Sequence, residues 1–296
     1  MIKKLSHLFA AVLASAAAAL SLCAPSSALA QTPSVPRPNH VVVVVMENRS
    51  YIEIRDNAPF INDLAAQGAL FTRSFAVSHP SQPNYFALFS GSTQGVEDNN
   101  SYIFTAPTLA SALRAKGYSF TGYVERGSPR KHNPWESFVN STDAERDLAQ
   151  FPSDFSKLPT VSFVIPNLEN DMHDGGIKQG DAWLRRHLAD YAEWCMRTHD
   201  LLIVTFDEGD DKSKNQIFTL FYGGAVRSGR YGERIDHYTV LRTIENVRLA
   251  NTGQDRRDQT DRRYLEVKKI KAGAVLLIIY CPLSHSIMLI RPGILH

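Results

Sequence analysis

Uninterrupted apolar runs mark the predicted strands of this chain. Residues 41–45 are five consecutive valines, and residues 201–206 form a second, mostly apolar run. Side chains point to alternate faces along a strand, so a continuous apolar run predicts a strand that is buried on both faces, as in a parallel sheet between layers of helices. Further strands are predicted at residues 69–75, 118–124, 161–165 and 217–222.

Segments with helical spacing of apolar residues separate these strands. Helices are predicted at residues 58–67, 108–116, 181–197 and 238–247, with another beginning near Ser81. Gly68 and Gly117 follow the first two helices, and glycine commonly ends a helix. Because strands and helices alternate, the sequence predicts an α/β fold in which a mostly parallel central sheet is flanked by helices.

Acidic and amide side chains follow two of the apolar strands. Glu47 and Asn48 come directly after the first run, and Asp207 and Glu208 come directly after the second. Each pair alone is also compatible with a simple turn, but ligands of open α/β sheets collect beyond the carboxyl ends of strands. Two such pairs therefore predict a site for a divalent cation. Ca2+, Mg2+ or Mn2+ suits these oxygen ligands better than a thiolate-type zinc site does, and the sequence does not choose among the three.

A turn rich in proline and polar residues precedes another predicted helix, and Ser81 is assigned to its N-cap. A hydroxyl at this position faces the positive end of the helix dipole, which favours both its alkoxide and a bound phosphoryl group. An ordinary N-cap serine remains the alternative. Asn84 follows one helical turn later and is predicted to direct its amide at the same anion.

The two ends of the chain differ in composition from the rest. Residues 1–30 contain two lysines, an apolar run and the triplet Ala28-Leu29-Ala30, which together predict a signal peptide and an exported protein. Whether the mature protein stays in the periplasm or is secreted is left open. Residues 31–38 are rich in proline and are predicted to be a linker. Residues 251–296 form a highly charged and atypical tail that is predicted to be poorly ordered, either a genuine element or a frame-shifted end.

The remaining segment, residues 39–250, is predicted to be a single catalytic domain. The formal net charge of the whole chain is +2, but both ends carry an excess of basic residues, so this segment is net acidic. A net acidic domain argues against general nucleic-acid binding. Only Cys195 and Cys281 follow the predicted leader, so no disulfide framework is expected. No segment after the leader is long and apolar enough to span a membrane.

Six motifs in unbroken order resemble the phosphoesterase family of bacterial secreted acid phosphatases and phospholipases C, which belongs to the alkaline phosphatase superfamily. Within that family the resemblance is to the short secreted acid phosphatases of the phosphatidylinositol-3-phosphatase type. The match covers residues 39 to 246. The motifs are Met46-Glu47-Asn48, the block 69–96 with its HPSQPNY and FSGSTQG strings, Lys131-His132-Asn133-Pro134-Trp135, Val164-Ile165-Pro166-Asn167, Asp171-Met172-His173-Asp174-Gly175 and Thr205-Phe206-Asp207-Glu208.

The resemblance implies a role for each candidate residue. Ser81 corresponds to the nucleophile and Asn84 to a phosphate contact. His132 and His173 correspond to histidines that contact phosphate, and either of them is expected to protonate the leaving alcohol. His79 either assists phosphate binding or braces the turn. The four oxygen-bearing residues named above correspond to the ligands of the family's cation.

The expected function is that of a secreted phosphomonoesterase, an acid phosphatase that works through a phosphoserine intermediate with a divalent cation. Small phosphate monoesters or phospholipid headgroups, including phosphoinositides, are the expected substrates. An acidic working range is expected if the histidines must be protonated, because their ordinary pKa lies near 6.5. Two alternatives remain: a phospholipase C-type phosphodiesterase, and an exported protein that binds phosphate or another anion without turnover.

Overall fold

A computed structural model describes residues 38–210 and 212–248 of this chain. The predicted signal peptide, all of the predicted linker except Pro38, and the predicted tail at residues 251–296 lie outside the described residues. Those three predictions therefore stay predictions. The described part contains nine strands and six α-helices, together with short 3-10 turns.

The element bounds are as follows. The strands are β1 (Val41–Met46), β2 (Ala69–Phe75), β3 (Phe120–Val124), β4 (Glu145–Asp147), β5 (Val161–Ile165), β6 (Leu201–Phe206), β7 (Gln216–Tyr222), β8 (Gly229–Tyr231) and β9 (Ile235–Asp236). The helices are α1 (Tyr51–Asn57), α2 (Pro59–Gln67), α3 (Ser81–Ser90), α4 (Leu109–Ala115), α5 (Ile177–Arg197) and α6 (His237–Arg248).

The strands form one mixed sheet in the order β4-β3-β5-β1-β6-β7-β2-β8, with β9 also paired to β2. Strand β7 is antiparallel to both of its neighbours, and every other pairing is parallel. The predicted α/β fold with a mostly parallel sheet is therefore confirmed. Two antiparallel steps separate β6 from β2, so β2 runs in the same direction as β1, β3, β5 and β6.

Strand β1 lies at the centre of the sheet and is buried along its whole length. Its side chains at Val42 and Val44 pack into a core under α1, α2 and α5, whereas Val41 and Val43 pack into a second core under α3, α4 and α6. Each buried valine contributes about 1.5–3 kcal/mol relative to an exposed one. The five-valine run is thus explained by helices that cover both faces of the sheet.

The structure corrects several predicted bounds. Helix α3 begins at Ser81 with Pro80 as its N-cap, so Ser81 is the first helical residue rather than the cap. Helix α5 begins four residues before the predicted start at Asp181. Helix α1 was not predicted, although Ser50 and Glu53 form a capping box that marks its start.

Every strand except β7 runs in the same direction, so the loops that follow these strands leave the sheet at one edge. The predicted site residues follow β1, β2, β3, β5 and β6. Within this edge, β1 and β6 pair in register through Met46 and Phe206, so Glu47 and Asp207 emerge side by side. The topology therefore brings together the predicted residues from distant parts of the sequence.

Candidate active site at the carboxyl edge of the sheet

Four carboxyl groups lie buried together at this edge. Glu47 follows β1, Asp207 and Glu208 follow β6, and Asp171 lies in the loop after β5. Burial raises the pKa of Asp171 to about 8 and that of Asp207 to about 7. Burial followed by repulsion from Asp207 and Asp171 raises the pKa of Glu47 well above its ordinary value. Without a positive charge, these groups cannot all be ionised at neutral pH.

Several buried polar atoms of the cluster have no hydrogen-bond partner within the described part of the chain. They are Asn48 Oδ1, Asp171 Oδ2, Asp207 Oδ2 and both ring nitrogens of His132. An unpaired buried polar group costs about 1–3 kcal/mol. A cation that binds these atoms removes that cost and also offsets the carboxylate charge. The residues present therefore fit a bound divalent cation.

Two sets of residues are candidates for holding the cation, and Glu47 belongs to both. The first is the predicted set of Glu47, Asn48, Asp207 and Glu208. In this set the backbone N–H of Asn48 donates to Asp207 Oδ1 over 3.1 Å. The second is made of Glu47, His132 and Asp171, whose ligand atoms lie within 4.8 Å of one another. The predicted set stays a prediction, and the second set adds His132 and Asp171 as candidate ligands.

Ser81 Oγ lies within hydrogen-bonding distance of two carboxylates, one from the segment after β1 and one from the segment after β6. It is buried at the first position of α3, and its Oγ donates to Glu208 Oε1 over 3.2 Å and lies 3.4 Å from Glu47 Oε2. The hydroxyl thus has a proton acceptor on either side. The positive end of the α3 dipole also favours negative charge at this position.

The turn before Ser81 is braced by Asn84, and the predicted contact of its amide with phosphate stays a prediction. Its Nδ2 donates both hydrogens to backbone carbonyls, those of Ser78 over 2.9 Å and Pro80 over 3.2 Å. Its Oδ1 accepts from the amides of Val77 and Ser78. Since every hydrogen of the amide is already used by the loop, the structure favours a bracing role for Asn84.

His79 contacts the same cluster from the solvent side. Its Nδ1 lies 2.6 Å from Glu208 Oε2, and 43% of its side chain is exposed. This contact orients Glu208, and both roles considered for His79, phosphate binding and bracing of the turn, stay predictions. A buried histidine, His237 at the start of α6, lies 2.6 Å from the carbonyl oxygen of Asp207 and holds the end of β6.

His132 is fully buried in the 3-10 turn Arg130–His132. Its ring stacks on Tyr85 with centroids 5.1 Å apart. Its Nε2 lies 3.2 Å from Glu47 Oε2 and its Nδ1 3.4 Å from Asp171 Oδ2, but neither contact has the geometry of a hydrogen bond. Burial, followed by the nearby charges of Lys131 and His173, lowers the pKa of His132 to about 2. In this geometry the imidazole is neutral, which suits a cation ligand or hydrogen-bond acceptor rather than a proton donor.

His173 is the more accessible of the two predicted catalytic histidines. Its side chain is 28% exposed, and its Nδ1 lies 2.7 Å from Asp174 Oδ1. Its Nε2 lies 3.4 Å from Lys131 Nζ, and its ring centroid lies 6.1 Å from that of His132. The structure therefore brings both histidines to the carboxylate cluster but gives them different surroundings.

The loop that carries Asp171 and His173 is held by Arg49, which follows the predicted cation ligands on the β1 side. The Arg49 guanidinium donates to the carbonyl oxygens of Met172 over 2.8 Å and Gly175 over 3.1 Å. These carbonyls flank His173, and Met172 adopts a positive φ of 82° that is unusual for its residue type. The contact therefore fixes the backbone on both sides of His173.

Glu125 holds the other side of the same loop. Its carboxylate accepts from the backbone amide of Asn167 over 2.9 Å, from Nδ2 of Asn170 and from the indole of Trp183 over 3.0 Å. Glu125 directly follows β3. The loop is thus tied to elements on both sides of β5.

The sequence prediction assigned no role to Asp171 or Tyr85. Asp171 lies inside a recognised motif, and its position in a turn after a buried strand was the available signal. The Tyr85 hydroxyl donates to Glu47 Oε1. No sequence signal separated Tyr85 from the core residues beside it in α3, because its spacing is that of a packed helix face.

Comparison with known proteins places this geometry in a family. The Phosphoesterase family model matches residues 53–248. The phosphatidylinositol-3-phosphatase of Mycobacterium tuberculosis is 50% identical over 234 residues, covering 72% of this chain and 78% of the relative. An acid phosphatase of Aspergillus fumigatus is 32% identical over 227 residues, and the chain spans about half of its length, 51%.

A solved structure supports the fold. A protein in the alkaline phosphatase superfamily from Vibrio parahaemolyticus superposes with a TM-score of 0.54 at 13% identity, covering 72% of this chain and 67% of that protein. At this level of identity the similarity concerns the fold alone.

Proposed function

The chain belongs to the phosphoesterase family, and from that premise we propose that it hydrolyses phosphate monoesters with Ser81 as the nucleophile. The observation that carries this proposal is the position of Ser81 Oγ, which lies between the carboxylates of Glu47 and Glu208 at the start of α3. A hydroxyl beside two proton acceptors and a helix N-terminus is suited to attack phosphorus.

The first chemical step transfers the phosphoryl group to the protein. Ser81 Oγ forms a bond to phosphorus while the bond between phosphorus and the ester oxygen breaks, and the serine proton passes to Glu208 or Glu47. Protonated His173 donates a proton to the leaving oxygen, because it is exposed to the site whereas His132 is buried and neutral. In the second step a water oxygen forms a bond to phosphorus while the bond between phosphorus and Ser81 Oγ breaks. The water gives a proton to the now neutral His173, and the carboxyl group that took the serine proton returns it to Ser81 Oγ, so inorganic phosphate leaves and both groups regain their starting forms.

A divalent cation is part of the proposal. The predicted ligands Glu47, Asn48, Asp207 and Glu208 would hold it, with Asp171 and His132 adjacent. When bound, such an ion offsets carboxylate charge and lowers the pKa of a neighbouring hydroxyl. An oxygen-only set suits Ca2+, Mg2+ or Mn2+, whereas a set that includes the His132 imidazole extends the choice to ions that prefer nitrogen. Elemental analysis of the purified protein distinguishes these sets.

Phosphoinositides are proposed among the substrates, because the relative with 50% identity is named a phosphatidylinositol-3-phosphatase. Export is proposed from the sequence of residues 1–30. Among the described helices, none combines the length and apolarity needed to cross a membrane. The mature N-terminus of protein recovered from the periplasm or the medium tests the export proposal, since cleavage after Ala30 is expected.

The test of the proposed activity compares a phosphate monoester with a phosphodiester. Purified protein with added cation is assayed on p-nitrophenyl phosphate and, in parallel, on p-nitrophenyl phosphorylcholine. We expect hydrolysis of the monoester, and we expect Ser81→Ala to lower kcat by roughly three orders of magnitude or more. Ser90→Ala changes a hydroxyl at the other end of the same helix and should retain most activity.

Two results would contradict the proposal. A folded Ser81→Ala protein that keeps a tenth of the normal kcat excludes Ser81 as the nucleophile. Cleavage of the choline diester alone identifies a phospholipase C-type phosphodiesterase instead.

A further inference from the structure

Lys131 lies beside the proposed active site and forms no ion pair with any other residue that the structure describes. It occupies the 3-10 turn directly before His132, and its side chain is partly buried. Its Nζ lies 3.4 Å from Nε2 of His173. None of the ion pairs between described residues involves this ammonium group, so its charge is available to a ligand.

The backbone of this turn is held in place, so the direction of Lys131 is defined. On one side, Arg130 donates to Gln82 Oε1 over 2.7 Å and to the carbonyl oxygens of Asn99 and Asn100. On the other side, His132 is buried against Tyr85. Because both neighbours of Lys131 are held, the backbone at Lys131 is restrained, in contrast to that of a lysine in an open surface loop.

The net negative charge of the carboxylate cluster determines how much positive charge a bound phosphate monoester needs from the Lys131 ammonium group. Four carboxylates surround the space beside Ser81, and one divalent cation neutralises half of their charge. A phosphate monoester carries close to two negative charges at neutral pH, because its second pKa is about 6. The approach of a dianion therefore requires positive charge beyond that of the cation.

The position of Lys131 is suited to supply this charge. Lys131 directly precedes His132, whose Nε2 lies 3.2 Å from Glu47 Oε2, and the same Glu47 oxygen lies 3.4 Å from Ser81 Oγ. The Lys131 ammonium group itself lies beside His173 of the Asp171 loop. These contacts connect the turn that carries Lys131 both to the Asp171 loop and to a carboxylate that contacts Ser81, so we expect a phosphoryl group bound at Ser81 to lie within reach of this ammonium group.

We propose that Lys131 is a specificity-determining residue that binds the non-bridging oxygens of a dianionic phosphoryl group and so favours phosphate monoesters over diesters. A diester has one negative charge and one oxygen fewer for this contact, because the second ester group replaces it. This inference rests on the proposed function and deepens it, since it assigns the choice between the two ester classes to one residue.

The test measures this choice directly. Wild type, Lys131→Met, Lys131→Arg and the control Lys116→Met, which changes an exposed lysine at the C-terminal cap of α4, are assayed on p-nitrophenyl phosphate and on bis-p-nitrophenyl phosphate. For Lys131→Met we expect kcat/KM on the monoester to fall on the order of ten- to a hundredfold, the range for a lost hydrogen bond to a charged group. On the diester we expect a change of less than about threefold, and Lys131→Arg should recover part of the loss.

Inhibition provides a second measurement that does not depend on diester turnover. The inhibition constant of inorganic phosphate, a partial dianion at pH 7.5, should rise in Lys131→Met by a factor similar to the loss in kcat/KM. The inhibition constant of monoanionic diethyl phosphate should stay within about threefold. Thermal unfolding and circular dichroism of each variant check that the fold is retained.

The outcomes separate this inference from the proposed function. Equal losses on monoester and diester, or equal changes for both inhibitors, overturn the specificity role and indicate that Lys131 acts by positioning His173. Unchanged kinetics in Lys131→Met indicate a solvated lysine and also overturn it. A wild type without monoesterase activity, or an active Ser81→Ala variant, contradicts the proposed function instead.

Discussion

Tyr85 acts on the proposed site although its spacing in the sequence is that of a core residue. It is buried in α3, its hydroxyl donates to Glu47 Oε1, and its ring stacks on His132. This hydrogen bond lowers the pKa of Glu47, and so favours its ionised form, although burial raises that pKa overall. Tyr85 therefore holds one shared cation ligand in place and in the charge state that binds a cation.

We expect Tyr85→Phe to weaken cation binding. The change keeps the ring that packs on His132 but removes the hydroxyl, so Glu47 becomes both less oriented and easier to protonate. Loss of a hydrogen bond to a charged group corresponds to about 1.5–3 kcal/mol, or roughly a tenfold or greater rise in Kd. Competition titration with a chelating indicator at pH 7.5 measures this Kd. The rise should be larger at pH 6, where protons compete more strongly.

The control for this prediction is Tyr102→Phe. Tyr102 also donates its hydroxyl to a carboxylate, Asp98 Oδ1 over 2.9 Å, but at a more exposed position. The Tyr102→Phe variant should leave the cation Kd unchanged. Equal affinities for Tyr85→Phe and the wild type would show that Glu47 does not depend on this hydroxyl.

At the residue scale, the sequence predicted the positions of those candidate residues that come directly after a strand. Glu47 and Asp207 could be predicted because the direction of parallel strands places their side chains at one edge. Asp171 could not, since its burial depends on how a turn-rich loop folds back onto β1. The bracing contacts of Asn84 could not be predicted either, because the sequence does not show which loop carbonyls accept the hydrogens of its amide.

At the element scale, long apolar strands were predicted better than short or edge strands. The bounds of β2, β5 and β6 match the predicted ranges. Strands β5 and β6 are buried along their whole length and are mostly apolar, whereas β2 is buried mainly in its first three residues. Strands β8 and β9 have three and two residues, too few to form a periodic pattern. The antiparallel direction of β7 was also missed, since an apolar run carries no information on strand direction.

Helix α2 depends on a residue from another helix. Its N-cap is Ala58, which has no side-chain oxygen to accept from the first turn. Instead, Asp181 of α5 accepts from the amides of Phe60 over 3.0 Å and Ile61 over 2.9 Å. Asp181 is buried, so these amides have no water to replace it. The capping is tertiary, and local sequence around α2 could not reveal it.

We expect Asp181→Ala to lower the free energy of unfolding by about 1–3 kcal/mol, because two buried amides at the positive end of α2 lose their acceptor. Asp181→Asn keeps a carbonyl acceptor and should lose less. Asp63→Ala, which removes an exposed carboxylate from α2 itself, should stay within about 0.5 kcal/mol. Urea unfolding monitored by circular dichroism measures all three. Similar values for Asp181→Ala and Asp63→Ala would refute capping from α5.

At the scale of the whole molecule, the buried carboxylates couple stability to pH. In the cation-free protein the pKa of Asp171 is about 8 and that of Asp207 about 7, against an ordinary value of 3.8. Below about pH 3.8 these groups are protonated in both the native and the unfolded state. As the pH rises above this value, the unfolded chain releases these protons first, so the free energy of unfolding falls until the native groups also ionise near pH 8.

We therefore expect the Tm of chelator-treated protein to fall as the pH rises from 5.5 to 8. Added Mg2+, Ca2+ or Mn2+ should restore the Tm most strongly at pH 8, because fewer protons compete for the carboxylates there. A cation at one hundred times its Kd adds about 2.7 kcal/mol, which corresponds to roughly 5–10 °C for a domain of this size. Differential scanning calorimetry measures both effects. Asp171→Asn replaces the carboxyl group of Asp171, which has a higher pKa than that of Asp207, with an amide that does not titrate. The Tm of the chelator-treated variant should therefore fall less over this pH range than the Tm of the chelator-treated wild type. A chelated wild type whose Tm is constant or rises over this range, with no response to any of the three ions, would show that the carboxylates are not an ionisable cation site.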